Sequence, residues 1–389
     1  MPELARDRPR ALLVTRNLPP MRGGMERLVQ RIAFSASESF DLAVVGPTGC
    51  SAHLPPEACV TEVRHRPLRR FLLAGVIASW RQASRRNVGL VIAGSGLAAP
   101  IAWLAARRSR ARWVVYLHGL DIIAPSLVYQ RCWLPFIRRA DLVLVNSGNT
   151  RRLAIESGVP PSAIEVLHPG TQLPGPDPAA RGAFREGYDL GARPVMLSVG
   201  RFTPRKGLAE FIRHALPLVL SRHPDAILLV IGSDAVDAVR PAAGSEQARI
   251  LEAAAEAGVS GAVRMLPPCD DHALSAAYRA ADAYVFPVLD LPGDVEGFGM
   301  VAIEAAAHGL PTVAFKVGGV PDAIVEGGTG HLVEPGDYAR FAERTSALLQ
   351  AAPGGGGMRD CLGVAERFGW HHFEGRLRQL LHRLTGRTP

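Results

Sequence analysis

The chain of 389 residues has no run of eighteen consecutive apolar residues, so no membrane-spanning helix is predicted. Its N-terminus, MPELARDRPRALLVTRNLPP, lacks the apolar centre of a secretory signal peptide. The short run ALLVT is followed by a charged, proline-containing loop and reads as a first strand. A cytoplasmic location is the expectation. Cysteine is scarce: Cys50, Cys59, Cys132, Cys269 and Cys361 are scattered, odd in number and without a CxxC pair. That argues against a disulfide framework or a zinc site and fits a reducing compartment. No GKS or GKT follows a glycine-rich loop, which excludes a Walker A motif. No DxD occurs anywhere, so a metal-chelating aspartate pair of that kind is absent. Lysine is nearly missing, arginine supplying 42 of the 44 basic residues. GC-rich genomes share that bias, so it selects no partner by itself.

What is present divides unevenly. Residues 1–172 hold 23 arginines against 11 carboxylates, a net +12, whereas the remainder is at −4. A basic N-terminal half points to an anionic partner: a nucleic acid, a membrane surface or a phosphorylated substrate. Nucleic acid is disfavoured, because no basic motif interleaved with aromatics appears. At 48% hydrophobic and 21% charged residues the chain is globular, and its length fits two domains.

Short β-rich apolar runs alternate with helical patterns. Strands are predicted at 11–15, 40–47, 88–94, 111–119, 140–147 and 164–170, with a helix over 25–37. The segment PGTQLPGPDPAARG (169–182) breaks the pattern and reads as a linker. The alternation restarts with strands at 194–200, 226–234, 263–268, 283–288, 311–315 and 330–337. AAPGGGGMRD (351–360) reads as a flexible break, followed by a basic helix over 370–384. The fold class expected is α/β: two tandem doubly wound, Rossmann-like domains facing across a cleft, with ligands at the carboxyl ends of the strands.

Five segments carry chemistry. In SVGRFTPRKGLAEFI (198–212) a strand ends at Gly200, and Arg201 and Lys206 precede a helix start. Two cations beside unpaired helix N–H groups suit a diphosphate, while a solvated basic loop is the bland alternative. RNLPPMRGGMERL (16–28) places Gly23-Gly24 before a helix, either a second phosphate cradle or a plain turn. YLHGLDI (116–122) puts His118 at a strand end with Asp121 nearby. VIAGSGLAAP (91–100) has the form GxGxxA but follows an inner strand and lacks an acidic ribose partner, so it reads as structural packing. DVEGFGMVAIEAAAHGLPTV (294–313) holds Glu296 in a loop before Gly297-Phe298-Gly299-Met300, and Glu304 inside an apolar helix. A carboxylate there needs a partner, and a ribose diol is one that fits; a Glu tied to backbone or arginine is the alternative.

Taken together, these residues resemble the retaining, GT-B-fold glycosyltransferases of family 4 (glycosyl transferases group 1). The likeness covers nearly the whole chain and is strongest over 194–337. The family's E-x7-E element stands as Glu296 and Glu304, and its Arg and Lys-Gly diphosphate element as GRFTPRKG. The N-terminal glycine loop stands as RGGME, and the strand-end histidine as His118. After GG-x-P the family usually has Glu; here it is Asp322. The resemblance implies a hexosyltransferase using a UDP- or GDP-sugar without metal or other cofactor. It implies that Arg201 and Lys206 grip the donor diphosphate, that Gly23 and Gly24 approach it, and that Glu304 holds the ribose. It also implies that Glu296 with Phe298, Gly299 and Met300 holds the sugar, and that His118 lies near the reaction centre. Residues 1–172 become an acceptor-binding domain, with a C-terminal helix of about 370–389 packing back on it. Residues 173–369 become the donor-binding domain. The acceptor implied is lipid-linked or a cell-surface glycan. Two rival activities are an NAD-dependent enzyme, resting on GSGLAA alone, and a nucleotide-sugar epimerase of related fold.

The stretch RHRPLRRFLLAGVIASWRQASRR (64–86) combines Arg69, Arg70, Arg81, Arg85 and Arg86 with Phe71, Leu72, Ile77 and Trp80. Arg107, Arg108, Arg110 and Arg112 add to it. It reads either as a surface for anionic membrane, giving a peripheral location on the cytoplasmic face, or as a solvated helix face over a core stripe.

Overall fold

The computed structural model describes residues 8–21, 23–124, 126–234, 244–350 and 356–386. The chain divides into two compact units, residues 1–170 with 370–389, and residues 171–369.

Unit 1 is built on seven parallel strands: β1 (Arg10–Val14), β2 (Asp41–Pro47), β3 (Cys59–Val63), β4 (Leu90–Ala93), β5 (Arg112–Leu117), β6 (Leu142–Val145) and β7 (Ile164–Val166). Their order is β3-β2-β1-β4-β5-β6-β7. The inner strands are runs such as LVIA and LVLV, buried throughout, as expected when helices cover both faces of a parallel sheet. β3 is absent from the sequence-based reading. Its CVTEV lies at the sheet edge with only Val63 fully buried, so it carries no continuous apolar signal. The helix Trp370–Leu384 packs on the helix Gly24–Ser39. It buries Phe373, Leu377, Leu380 and Leu381, and Arg31 pairs with Glu374 at 3.4 Å.

Unit 2 has six parallel strands: β8 (Val195–Phe202), β9 (Ile227–Asp234), β10 (Val263–Leu266), β11 (Ala283–Phe286), β12 (Thr312–Phe315) and β13 (Gly330–Val333), in the order β10-β9-β8-β11-β12-β13. The last strand stops four residues before the sequence suggests, because Pro335-Gly336 turns the chain. Of the expected break at 351–360, residues 351–355 lie outside the described residues. The rest is helical, from Gly356 to Glu366. That helix is held despite its glycines because Cys361 and Ala365 pack against Ala306 and Ala307.

In each sheet the chain steps to one side and then the other, so the order reverses between β1 and β4 and between β8 and β11. The loops leaving those strands cannot cover the crevice between them, which is where such sheets bind ligands. The two α/β units have the two-domain, Rossmann-like architecture of the GT-B class.

Candidate active site

In unit 2 the crevice is lined by the turns that leave β8 and β11. After β8 a single 3-10 turn, Pro204–Lys206, ends on Gly207, whose φ of 68° is left-handed. A Cβ there would lie 2.0 Å from the Pro287 carbonyl oxygen, so only glycine lets the two turns touch. They are also tied by the Leu289 N–H, which donates to the Arg205 carbonyl at 2.8 Å.

These turns enclose a cluster of buried charge. Lys206 Nζ donates to Glu296 Oε2 at 2.9 Å. Arg205 NH1 donates to the same oxygen, and Arg205 Nε to Asp294 Oδ1 at 2.9 Å. Arg205 is only 9% exposed. The Lys206 ammonium also sits over the Phe286 ring, 4.7 Å from its centre. Burial pushes the Glu296 carboxyl up, but Arg205 and Lys206 outweigh it and hold the acid at about 2. Burial lowers the Lys206 amine, against the attraction of Glu296; repulsion from Arg205 and Arg201 adds to the lowering. Arg205 lies above its ordinary value, since Glu296 and Asp294 overcome the cost of burying it.

The backbone of Glu296 is clamped from the turn after β12. The Gly319 N–H donates to the Glu296 carbonyl at 2.8 Å. A Cβ on Gly319 would lie 2.0 Å from the Gly297 oxygen, and one on Gly318, at φ 55°, 2.5 Å from the Glu296 oxygen. The double glycine of KVGGVPD is therefore a packing requirement of the acid's loop.

Gly299, at φ 93°, caps the helix Met300–Ala307 with Phe286 directly beneath it. Phe298 is buried, and Met300 half-buried. Glu304, in the second turn, is half-buried and accepts from the Tyr278 hydroxyl at 3.2 Å. Tyr278 in turn stacks on His308, their centres 4.9 Å apart. Burial lowers the pKa of His308, whose Nδ1–H donates to the Glu304 carbonyl at 2.8 Å.

In unit 1, His118 immediately follows β5 and is buried. Its Nε2 lies 2.8 Å from the Gly94 carbonyl, which can only accept, so that nitrogen carries the proton. Asp121 binds the loop together: Oδ1 accepts from the His118 and Gly119 N–H groups at 2.9 and 3.1 Å, and Oδ2 from the Gly96 N–H at 2.9 Å. The GSGLAA amide that a dinucleotide's pyrophosphate would need is thus already taken by a carboxylate. Gly94 is required because a Cβ would lie 2.8 Å from Thr15. Gly23 precedes the helix Gly24–Ser39, and a Cβ on it would lie 2.4 Å from Glu26 Oε2. Glu26 is buried and accepts from Asn17 Nδ2 at 2.9 Å, so this glycine loop carries an anion of the chain's own.

Two features differ from expectation. Glu296 and Lys206, read from sequence as serving different parts of a ligand, are in direct contact. Glu296 is packed among cations. Arg205, which sequence reasoning passed over, is the most buried cation of the cluster; its place in PRKG beside Lys206 is the only local signal. Arg201 stands exposed at the end of β8 and makes no ion pair among the described residues. On the basic stretch of unit 1, Phe71 faces the core, whereas Leu73, Ile77 and Trp80 are 69%, 52% and 45% exposed beside exposed Arg69, Arg70, Arg81 and Arg85. Arg108 lies over the Trp80 ring at 5.7 Å. Among the described residues, no helix is long and apolar enough to cross a membrane.

Two doubly wound parallel sheets, with buried cations at the switch point of the second, are the architecture of the GT-B class. Comparison with known proteins specifies it further. Residues 22–173 match the family described as Glycosyltransferase Family 4, and residues 183–354 that described as Glycosyl transferases group 1. The GDP-mannose-dependent alpha-(1-6)-phosphatidylinositol monomannoside mannosyltransferase of Mycolicibacterium smegmatis is 32% identical over 350 residues, covering 87% of this chain and 88% of that protein. The D-inositol 3-phosphate glycosyltransferase of Streptomyces bingchenggensis is 32% identical over 320 residues, covering 76% and 67%. The structure of Anabaena Alr3699/HepE in complex with UDP and glucose superposes with a TM-score of 0.78 at 20% identity, covering 96% of this chain and 100% of that one. The chain belongs to the family 4, group 1 glycosyltransferases.

Proposed function

We propose that this glycosyltransferase moves a hexose of the mannose, glucose or N-acetylglucosamine type from a UDP- or GDP-sugar to a lipid-linked or cell-surface glycan acceptor. Transfer retains the anomeric configuration and needs no metal. The observation that carries this reading is the cation group of Arg201, Lys206 and Arg205 at the switch point of unit 2, with Glu296 among them. The mycobacterial relative, by its name, uses GDP-mannose on a phosphatidylinositol mannoside, which favours a mannose-type donor and an acceptor bearing an inositol phosphate.

In this reading unit 2 binds the donor. Arg201 and Lys206 stabilise the charge that develops on the leaving diphosphate, the largest electrostatic demand of the reaction. Glu304 takes the ribose diol. Glu296, with the backbone of Phe298, Gly299 and Met300, takes hydroxyls of the sugar. Glu296 is paired with Arg205 and Lys206, so this reading assigns it to holding the sugar and not to a double displacement. Transfer on the same face of the sugar is favoured instead, the leaving phosphate oxygen accepting the proton of the acceptor hydroxyl. Unit 1 binds the acceptor, and it brings His118 to the chemistry and Gly23-Gly24 to donor recognition.

The exposed Leu73, Ile77 and Trp80, rimmed by arginines, fit a peripheral surface for anionic lipid on the cytoplasmic face of the membrane, where a lipid-linked acceptor is found. Sedimentation with vesicles tests it: salt-sensitive binding to anionic but not neutral vesicles is expected, and no binding to either removes the idea. A thermal-shift panel of nucleotide sugars, followed by mass spectrometry of products on candidate acceptors, tests the activity. Stabilisation by UDP- or GDP-sugars with a hexosylated product is expected. Stabilisation by NAD instead, or donor turnover with no acceptor, contradicts it.

A further inference from the structure

The buried cluster holds more cations than the donor reading uses. Glu296 Oε2 has two partners, Lys206 Nζ at 2.9 Å and Arg205 NH1. Only one of them is anchored elsewhere: Arg205 Nε is fixed to Asp294 Oδ1 at 2.9 Å, and its carbonyl accepts from Leu289 N–H. Among the described residues, Lys206 is held by a single ion pair and a ring face, on a flexible stem. A diphosphate that captures Lys206 therefore withdraws one of the two charges that keep Glu296 ionised. A buried carboxylate stripped of its partners is strongly penalised and picks up a proton.

We propose that Arg205 is a positioning residue that keeps Glu296 charged and oriented while Lys206 passes to the donor diphosphate. The inference rests on the donor-site reading of unit 2. Binding would then exchange partners on Lys206 without moving a proton to Glu296. The other groups around Glu296 cannot substitute. Asp294, on the same loop, is an acid. Arg201, at the end of β8, acts on Lys206. Tyr284, on β11, has its pKa raised by burial first and then by the negative charges of Glu304 and Glu296, so it brings no positive charge. The Gly318–Gly319 turn brings only backbone to the acid.

The experiment is titration calorimetry of UDP and GDP into the full chain, at about neutral pH, in two buffers of different ionisation enthalpy. It reads both affinity and protons exchanged. The wild type, whose proton count includes the nucleotide's own terminal phosphate, gives the baseline. Arg205→Met is expected to weaken binding by roughly tenfold to a hundredfold and to add uptake approaching one proton per nucleotide. Arg205→Lys keeps a charge but loses the fork. It is expected to weaken binding less, with the proton count of the wild type. Combining Arg205→Met with Glu296→Gln removes the carboxyl that would be stranded, and the extra proton is expected to vanish. This double variant also carries the test if Arg205→Met alone fails to fold, since folding restored by Glu296→Gln is itself the expected rescue. Unchanged affinity and proton count in Arg205→Met, or extra uptake that persists without the Glu296 carboxyl, overturns the inference while the donor site stands. Failure of the wild type to bind either nucleotide overturns both.

Discussion

Lys206 Nζ lies 2.9 Å from Glu296 Oε2, across 90 positions of sequence. The contact joins the turn that leaves β8 to the turn that leaves β11, the two sides of the crevice in the second sheet. It makes one charge cluster of two elements that, read separately, look like a phosphate grip and a sugar-binding acid.

Replacing Arg201 or Lys206 tests the proposed phosphate grip. Arg201→Ala and Lys206→Ala are each expected to lower turnover of an identified donor by about two to three orders of magnitude, the scale of removing one preorganised charge donor. Lys206→Ala leaves Glu296 paired with Arg205, so its thermal melting is expected to stay close to wild type. Steady-state kinetics beside differential scanning calorimetry separates the two effects. Full activity in Lys206→Ala removes the phosphate assignment.

The Glu296 carboxyl ties acid stability to this cluster. Its value in the folded chain, about 2, is below the ordinary 4.5 of an unfolded glutamate, so the folded state binds fewer protons. The stabilisation is complete above pH 4.5 and is lost as pH falls toward about 2. It amounts to on the order of 3 kcal/mol. Urea unfolding of wild type and Glu296→Gln across that range is expected to show a smaller loss of stability on acidification in the variant.

Gly319 supports the acid through its backbone alone. Gly319→Ala places a methyl where the Gly297 carbonyl lies 2.0 Å away, and backbone on both sides leaves little room to yield. A lower melting temperature is expected, together with a raised KM for the donor. Gly336→Ala, where a Cβ meets nothing but φ is 84°, separates left-handed strain from the close approach. It is expected to cost stability without the donor effect.

Tyr278 holds Glu304 through one hydroxyl at 3.2 Å. Tyr278→Phe keeps the ring stacked on His308 and removes that bond. A rise in donor KM of about threefold to tenfold with kcat nearly unchanged is expected, the size of one hydrogen bond of about 1 kcal/mol. An effect confined to kcat contradicts a ground-state role for Glu304 on the nucleotide.

The strands were legible because parallel strands covered on both faces are continuous apolar runs, and 90–93, 142–145 and 283–286 are unmistakable as such. The edge strand Cys59–Val63 was not, because half-buried Thr61 and exposed Glu62 interrupt it. The helix from Gly356 was hidden by a glycine run whose low propensity is overridden by packing at Cys361 and Ala365. At the site, Lys206, Glu296 and Glu304 stand out locally as charges among turns and apolar residues. Arg205 did not, since its meaning comes from Asp294 and Glu296 some ninety residues later. Asp121 likewise looked like a neighbour of His118, and its bond to Gly96 needs the fold. Local pattern tells which side chains are costly to bury; only the topology tells which of them meet.

The central claim is retaining transfer from a nucleotide sugar without metal. It is tested most directly by proton NMR of the product's anomeric linkage, with the reaction run in excess chelator. The account predicts that the transferred hexose keeps the donor's anomeric configuration and that its rate of formation is the same with and without chelator. An inverted linkage, or product that forms only when Mg²⁺ or Mn²⁺ is restored, contradicts it.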